Sequence, residues 1–119
     1  DVPDGIARTR LYSSDRAMAN HDEPACEDEV FASLQHIKSL SEDVHQPMSA
    51  VCLAWARQQV GVNSLLVGAR SPAELHLNLP SVALELSEQV IEELNSYTLG
   101  VKEYLGSNPD MWMSDSRMR

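Results

Sequence analysis

The sequence predicts an α/β fold of the parallel kind, mostly helical, with one strand at about 64–68. Three observations predict it. Leu65, Leu66 and Val67 form a short apolar run bounded by Asn63-Ser64 and Gly68, the pattern of a strand buried on both faces. The run lies between an apolar helix and a capped one, and helix–strand–helix is the order of a parallel α/β protein. A lone apolar strand leaves backbone donors and acceptors unpaired on both edges, so its partners are expected on residues outside this chain.

Residues 1–25 read as loop, punctuated by Pro3, Gly5, Ser13, Ser14, Asn20 and Pro24. Over 27–45, Val30, Leu34, Ile37, Leu40 and Val44 recur at helical spacing, and Glu27, Asp28 and Glu29 suit the positive end of the helix dipole. Pro47 opens a second helix over 47–59, apolar nearly all round from Met48 to Ala56 and therefore expected to be covered on most sides. Arg57, Gln58 and Gln59 are expected to end it in water, with Gly61 as its cap. After the strand, Ser71-Pro72-Ala73-Glu74 is a capping box with proline at the first helical position, opening a helix over 71–79 whose buried stripe would be Leu75 and Leu79. Ser87 caps a last helix over 87–98, with Val90, Ile91 and Leu94 inward and Gly100 as terminator. The tail, 100–119, reads as extended or loop, with its last residues mobile.

Composition narrows the function. The chain has 119 residues, 43% hydrophobic and 23% charged, which is ordinary globular usage. With 18 acids against 9 bases the net charge is −9, so generic binding to nucleic acid or to an anionic membrane is excluded. No apolar run approaches the roughly 20 residues that span a bilayer. No signal peptide is visible, and the opening Asp1-Val2-Pro3-Asp4-Gly5 reads as the interior of a longer chain, so a fragment is expected. Cys26 and Cys52 lack metal-ligand spacing; a disulfide between them is possible, but two reduced thiols in a cytoplasmic setting is the commoner arrangement. His21, His36, His45 and His76 are scattered, so no metal site is expected and each reads as a surface or helix-flank residue. Arg8, Arg10 and Arg16 make a local basic patch that either faces an anion or is solvated loop charge.

The strand-to-helix turn, Val67-Gly68-Ala69-Arg70-Ser71, is where chemistry is expected. Ligands of parallel α/β folds gather beyond the C-terminal ends of strands. Gly68 lets a ligand approach the main chain, the helix start offers free N–H groups, and Arg70 adds a guanidinium suited to phosphate. Asn78, two turns after Ser71, could read a base or ribose edge. On residues alone this is either a phosphate site or an ordinary capped helix with an exposed arginine, and the second is the commoner.

The stretch from Met48 to Trp55, then Ser64-Leu65-Leu66-Val67-Gly68-Ala69-Arg70-Ser71-Pro72-Ala73-Glu74 with Leu75 to Leu79, and the helix opening at Leu86-Ser87-Glu88, resemble the C-terminal part of the aldo-keto reductases. The tail Leu105-Gly106-Ser107-Asn108-Pro109-Asp110-Met111-Trp112 resembles a bacterial, NADP-dependent branch of that family. The resemblance implies the C-terminal part of a (β/α)8 TIM barrel, a single domain of which 1–119 is a piece, with 64–68 as its eighth strand. It implies NADP(H) as cofactor and hydride transfer to a small carbonyl substrate, an aldehyde or ketone. Gly68 and Ala69 would lie against the cofactor, Arg70 would pair with the adenosine 2′-phosphate, and Glu74 and Asn78 would flank the adenosine. Relatives often carry Gln or Arg where Glu74 stands; Glu74 is expected either in the capping box or on the adenine amine. The family's catalytic Asp, Tyr, Lys and His would lie upstream, so no residue here is assigned as catalytic, Tyr12, Tyr97 and Tyr104 included. Arg8-Thr9-Arg10 would fall in the loop after the seventh strand, and Trp112 would line a substrate pocket or pack the tail. Two other readings stand beside this one: a non-catalytic cofactor-sensing module of the same fold, and an independent acidic helical interaction protein.

Overall fold

The computed structural model describes residues 2–115. Among the described residues five α-helices form: α1 (Asp4–Ala7), α2 (Glu27–Asp43), α3 (Met48–Arg57), α4 (Pro72–Asn78) and α5 (Glu88–Leu105), with a 3-10 turn at Leu79–Val82. Among the described residues no strand forms; a single parallel bridge joins Asn20 to Met113. The chain divides into two compact units, Gln35–Tyr97 and a second made of Asp1–Leu34 with Thr98–Arg119.

In the first of these units the core is Ile37 and Leu40 from α2, Val51 and Ala54 from α3, and Leu86 and Leu94, with Val44, Met48 and Trp55 packed around them. These are the periodic positions of the sequence, so the amphipathic pattern and the packing agree. The α2 stripe fails at one place, Leu34, which is exposed. α2 ends where the amide of Gln46 bonds to the Ser41 carbonyl and that of His45 to Glu42, with His45 in the left-handed region at φ 53°. That is a Schellman ending with histidine at the position glycine usually takes. α3 starts one residue later than expected, with Pro47 as its N-cap. It is not covered on most sides: Ala50, Val51 and Ala54 are buried while Cys52, Leu53, Trp55 and Ala56 are half-buried. Its end is not left to water either. Arg57 donates to the Leu84 carbonyl at 2.9 Å, and the Gln58 side chain bonds both backbone groups of Leu86, accepting at 2.9 Å and donating at 3.3 Å. A side-chain amide has the donor–acceptor pair of a peptide, so Gln58 serves Leu86 as a neighbouring strand would.

The expected strand at 64–68 is not formed among the described residues. The segment belongs to no helix or strand, and residues 61–70 are all exposed, with Leu66 97% accessible. A strand exists by pairing with a neighbour, and no described residue runs alongside this one. The stripe assigned to α4 is likewise uncovered, since Leu75 and Leu79 are about half exposed at 49% and 52%.

The second unit holds a smaller cluster, Tyr12, Cys26 and Val30 with Leu11, Val101 and Tyr104 against it. The region 1–25 is not wholly loop, because Pro3 caps the one-turn helix α1. α5 runs through Gly100, expected as its end, to Leu105; Gly106, at φ 65°, is the residue that ends it, its amide bonding to the Lys102 carbonyl. The reason is burial: Val101 and Tyr104 extend the apolar stripe onto the Tyr12 cluster, which outweighs the cost of one glycine in a helix interior. So residues 100–105 are helix, not tail; 116–119, expected to be mobile, lie outside the described residues.

Candidate functional site

The segment 68–78 begins in open chain and enters α4 at a built cap. Ser71 is extended (φ −149°, ψ 157°) and its hydroxyl accepts the Glu74 amide at 3.2 Å, with Pro72 at the first helical position. The serine–proline–glutamate signal therefore specifies the helix start as read from sequence. The other half of the capping box differs. The Glu74 carboxylate passes Ser71 and accepts the Arg70 amide at 2.7 Å. Its second oxygen accepts the Arg70 guanidinium from Nε at 3.2 Å and Nη2 at 2.9 Å. The Arg70 amide bond, then the guanidinium bonds, hold the Glu74 carboxyl below its usual range against a smaller desolvation effect.

Arg70 thus projects into solvent with its side chain 92% accessible, one edge of its fork on Glu74 and the Nη1 edge open. Gly68 stands in free space, with nothing within 4 Å of where a Cβ would lie, so no described atom blocks approach to the main chain there. Ala69 is exposed and Asn78 half-buried, its carbonyl accepting the Ser81 hydroxyl at 2.6 Å. Of the five expected site residues the structure joins Arg70 to Glu74; Gly68, Ala69 and the Asn78 side chain make no hydrogen bond to that pair among the described residues. A cleft of about 200 Å³ lies beside the preceding run 62–67 and shares no residue with 68–78; it is walled by Leu53, Arg57, Val62, Leu65, Val67 and Val82.

Other chemistry-bearing groups are occupied in packing. Burial raises the pKa of Tyr12, which meets Phe31 edge-on at 6.4 Å and carries Arg16 over its ring at 5.2 Å. Burial likewise raises Tyr104, whose hydroxyl accepts the Ala25 amide at 2.8 Å. Cys26 and Cys52 are free thiols pushed up by burial, which makes them poor nucleophiles. His21 is not on the surface as expected: it is 2% exposed, with Nδ1 accepting the Glu23 amide at 3.3 Å. Among the described residues no group of three His, Cys, Asp or Glu side chains could hold a metal, and no helix is long and apolar enough to cross a membrane.

The residue that sequence reasoning missed is Arg10. Its side chain is 5% accessible and donates to the carbonyls of Leu105 at 3.0 Å, Asn108 at 3.2 Å and Asp110 at 3.1 Å, as well as to Glu23 at 3.2 Å. No local signal marks it, because the three carbonyls it serves lie 95 to 100 residues away. Arg16, from the same basic patch, is paired with Glu27 at 3.0 Å.

No curated protein matches the chain. The family model described as "Aldo/keto reductase family" matches residues 4–98, a span that holds α1 to α4, the open segment 64–68 and all five expected site residues. A match over most of the chain decides the family, and the chain belongs to the aldo/keto reductase family.

Proposed function

We propose that this chain is the NADP(H)-binding, C-terminal part of an aldo/keto reductase barrel whose 64–68 segment takes the place of the eighth strand. The observation that carries the reading is the family match across residues 4–98. The exposed run Leu65–Leu66–Val67 supports the barrel part, because it is a strand's sequence in need of neighbours. The tail 105–112 supports placement in a bacterial, NADP-dependent branch. NADPH would supply the hydride for an aldehyde or ketone, and two free thiols suit a reducing, cytoplasmic setting. In this reading the proton donor is on strands other than 64–68, and no residue described here is assigned to catalysis.

The residues fit an anionic nucleotide. Gly68 and Ala69 leave the main chain open for a close approach, and the free Nη1 edge of Arg70 can take the 2′-phosphate through charge-assisted bonds. Glu74 does not read the adenine in this arrangement; it orients the Arg70 fork. Asn78 would flank the adenosine. The test is a fluorescence titration of NADPH and NADH against wild type and Arg70→Ala at fixed ionic strength. NADPH affinity should fall roughly ten- to a hundred-fold in the variant and NADH affinity should hold. Equal weakening of both cofactors would mean that Arg70 reads no phosphate.

A further inference from the structure

Among the described arginines, Arg10, Arg16, Arg57 and Arg70 each pair with a glutamate. Arg8 has no ion-pair partner among the described residues, in a chain where 18 acids face 9 bases. Its Nε donates to the Asp4 carbonyl at 3.1 Å and its Nη1 contacts the Met18 sulfur at 3.7 Å. These two contacts fix the guanidinium but neutralise none of its charge.

Arg8 forms part of the wall of a recess of about 560 Å³, lined also by Gly5, Ile6, Met18, Asn20 and Trp112. None of these residues is acidic. Ile6, Met18 and Trp112 are 50%, 73% and 53% exposed, so the recess has an apolar wall as well as a cation.

Trp112 is not exposed because its segment is loose. Its amide donates to Asp110 Oδ1 at 2.8 Å, and the Met113 amide to the same oxygen at 3.2 Å. Asn108 bonds the Asp110 amide at 2.9 Å and the Met113 carbonyl at 2.9 Å. Met113 is bridged to Asn20 on the recess wall, and buried Arg10 holds the carbonyls of Asn108 and Asp110. These bonds order the backbone that carries the ring, so the indole is presented at the surface from a fixed segment.

We propose that this recess binds a planar aromatic carboxylate, its ring against Trp112 and Met18 and its carboxylate on Nη2 of Arg8, the guanidinium nitrogen that neither contact uses. Nη2 can give the carboxylate a charge-assisted bond, and the uncompensated charge of Arg8 favours an anion. The indole face and the thioether both favour an aromatic ring. A cationic ligand is excluded by Arg8, and a purely aliphatic one would forgo the stacking. The recess shares no residue with 68–78, so it stands or falls apart from the nucleotide reading.

The test uses the isotope-labelled protein and no nucleotide. The two tryptophans, Trp55 and Trp112, give two indole N–H signals by NMR, and Trp112→Leu identifies the second. Titration with 2-naphthoate should shift the Trp112 signal, with a dissociation constant on the order of 1 mM or below, and leave Trp55 in place. The neutral analogue 2-naphthylmethanol should bind about ten-fold more weakly. Arg8→Gln should weaken the acid by a similar factor and leave the alcohol unchanged, with the Trp55 signal reporting that the variant is folded. Equal binding of acid and alcohol to the wild type, which needs no variant, would overturn the proposal. So would a Trp112 signal that does not move, or an Arg8→Gln protein that binds the acid as the wild type does.

Discussion

At the scale of single residues, Arg10 decides the most. Five donors in a planar fork can serve several carbonyls at once, which the single ammonium of lysine cannot do in the same geometry. Arg10→Ala would leave the Leu105, Asn108 and Asp110 carbonyls without their donor and Glu23 without its counter-charge. We expect a loss of roughly 2–4 kcal/mol, read as a lower urea midpoint, together with faster amide exchange over 105–113. Arg10→Lys should recover only part of it. An alanine variant within about 0.5 kcal/mol of wild type would mean that the network orders the tail without stabilising the unit. Nothing in residues 8–16 distinguishes this arginine from its neighbours. Arg8, Arg10 and Arg16 look alike in sequence; among the described residues one has no ion-pair partner, one is buried and one is paired at the surface, only because of what folds against each.

At the scale of elements, helix starts were more legible than helix ends. Ser71-Pro72 announced α4 because a cap is a local event, made by side chains three residues apart. The end of α5 was not local. Gly100 carries the usual stop signal, yet it lies within the helix with nothing within 4 Å of a Cβ position, while Gly106 takes the left-handed conformation. Gly100→Ala should therefore stabilise the protein by about 0.5–1 kcal/mol, since alanine in an open helical position loses less entropy on folding. Thermal or denaturant melting would read it. A destabilised variant would return Gly100 to the role of terminator, where φ is positive and alanine is strained.

At the scale of the whole molecule, the apolar surface is unevenly covered. Val60, Leu66 and Val82 are 105%, 97% and 69% exposed, and Leu65, Val67, Leu75, Leu77 and Leu79 are each 38% or more. Burying one such side chain contributes about 1.5–3 kcal/mol, so the stretch 60–82 leaves a large stabilisation unused. Exposed apolar surface of this extent drives association. By sedimentation velocity over a concentration series the protein should associate, and Leu66→Lys should shift it toward monomer, because a charge at the most open position of the run 65–67 opposes pairing. A wild type that stays monomeric with a sharp cooperative melt would show that the chain needs no further cover.

The sequence by itself determined the helical segments α2, α3 and α4, the serine cap, the apolar character of 65–67 and the family, because each rests on periodicity, spacing or a short run of residues. Only the tertiary structure decided which polar groups are spent and which are free. The Glu74 carboxylate turned to the Arg70 amide and not to that of Ser71, Gln58 took both backbone groups of Leu86, and Arg10 left the basic patch for the tail. The strand marks the boundary between the two. Leu65, Leu66 and Val67 carry the side chains of a buried strand, but a strand is a relation between two backbones, and no described residue supplies the second. Local signals fix what a segment can be; the partners that pair with it or cover it fix what it becomes.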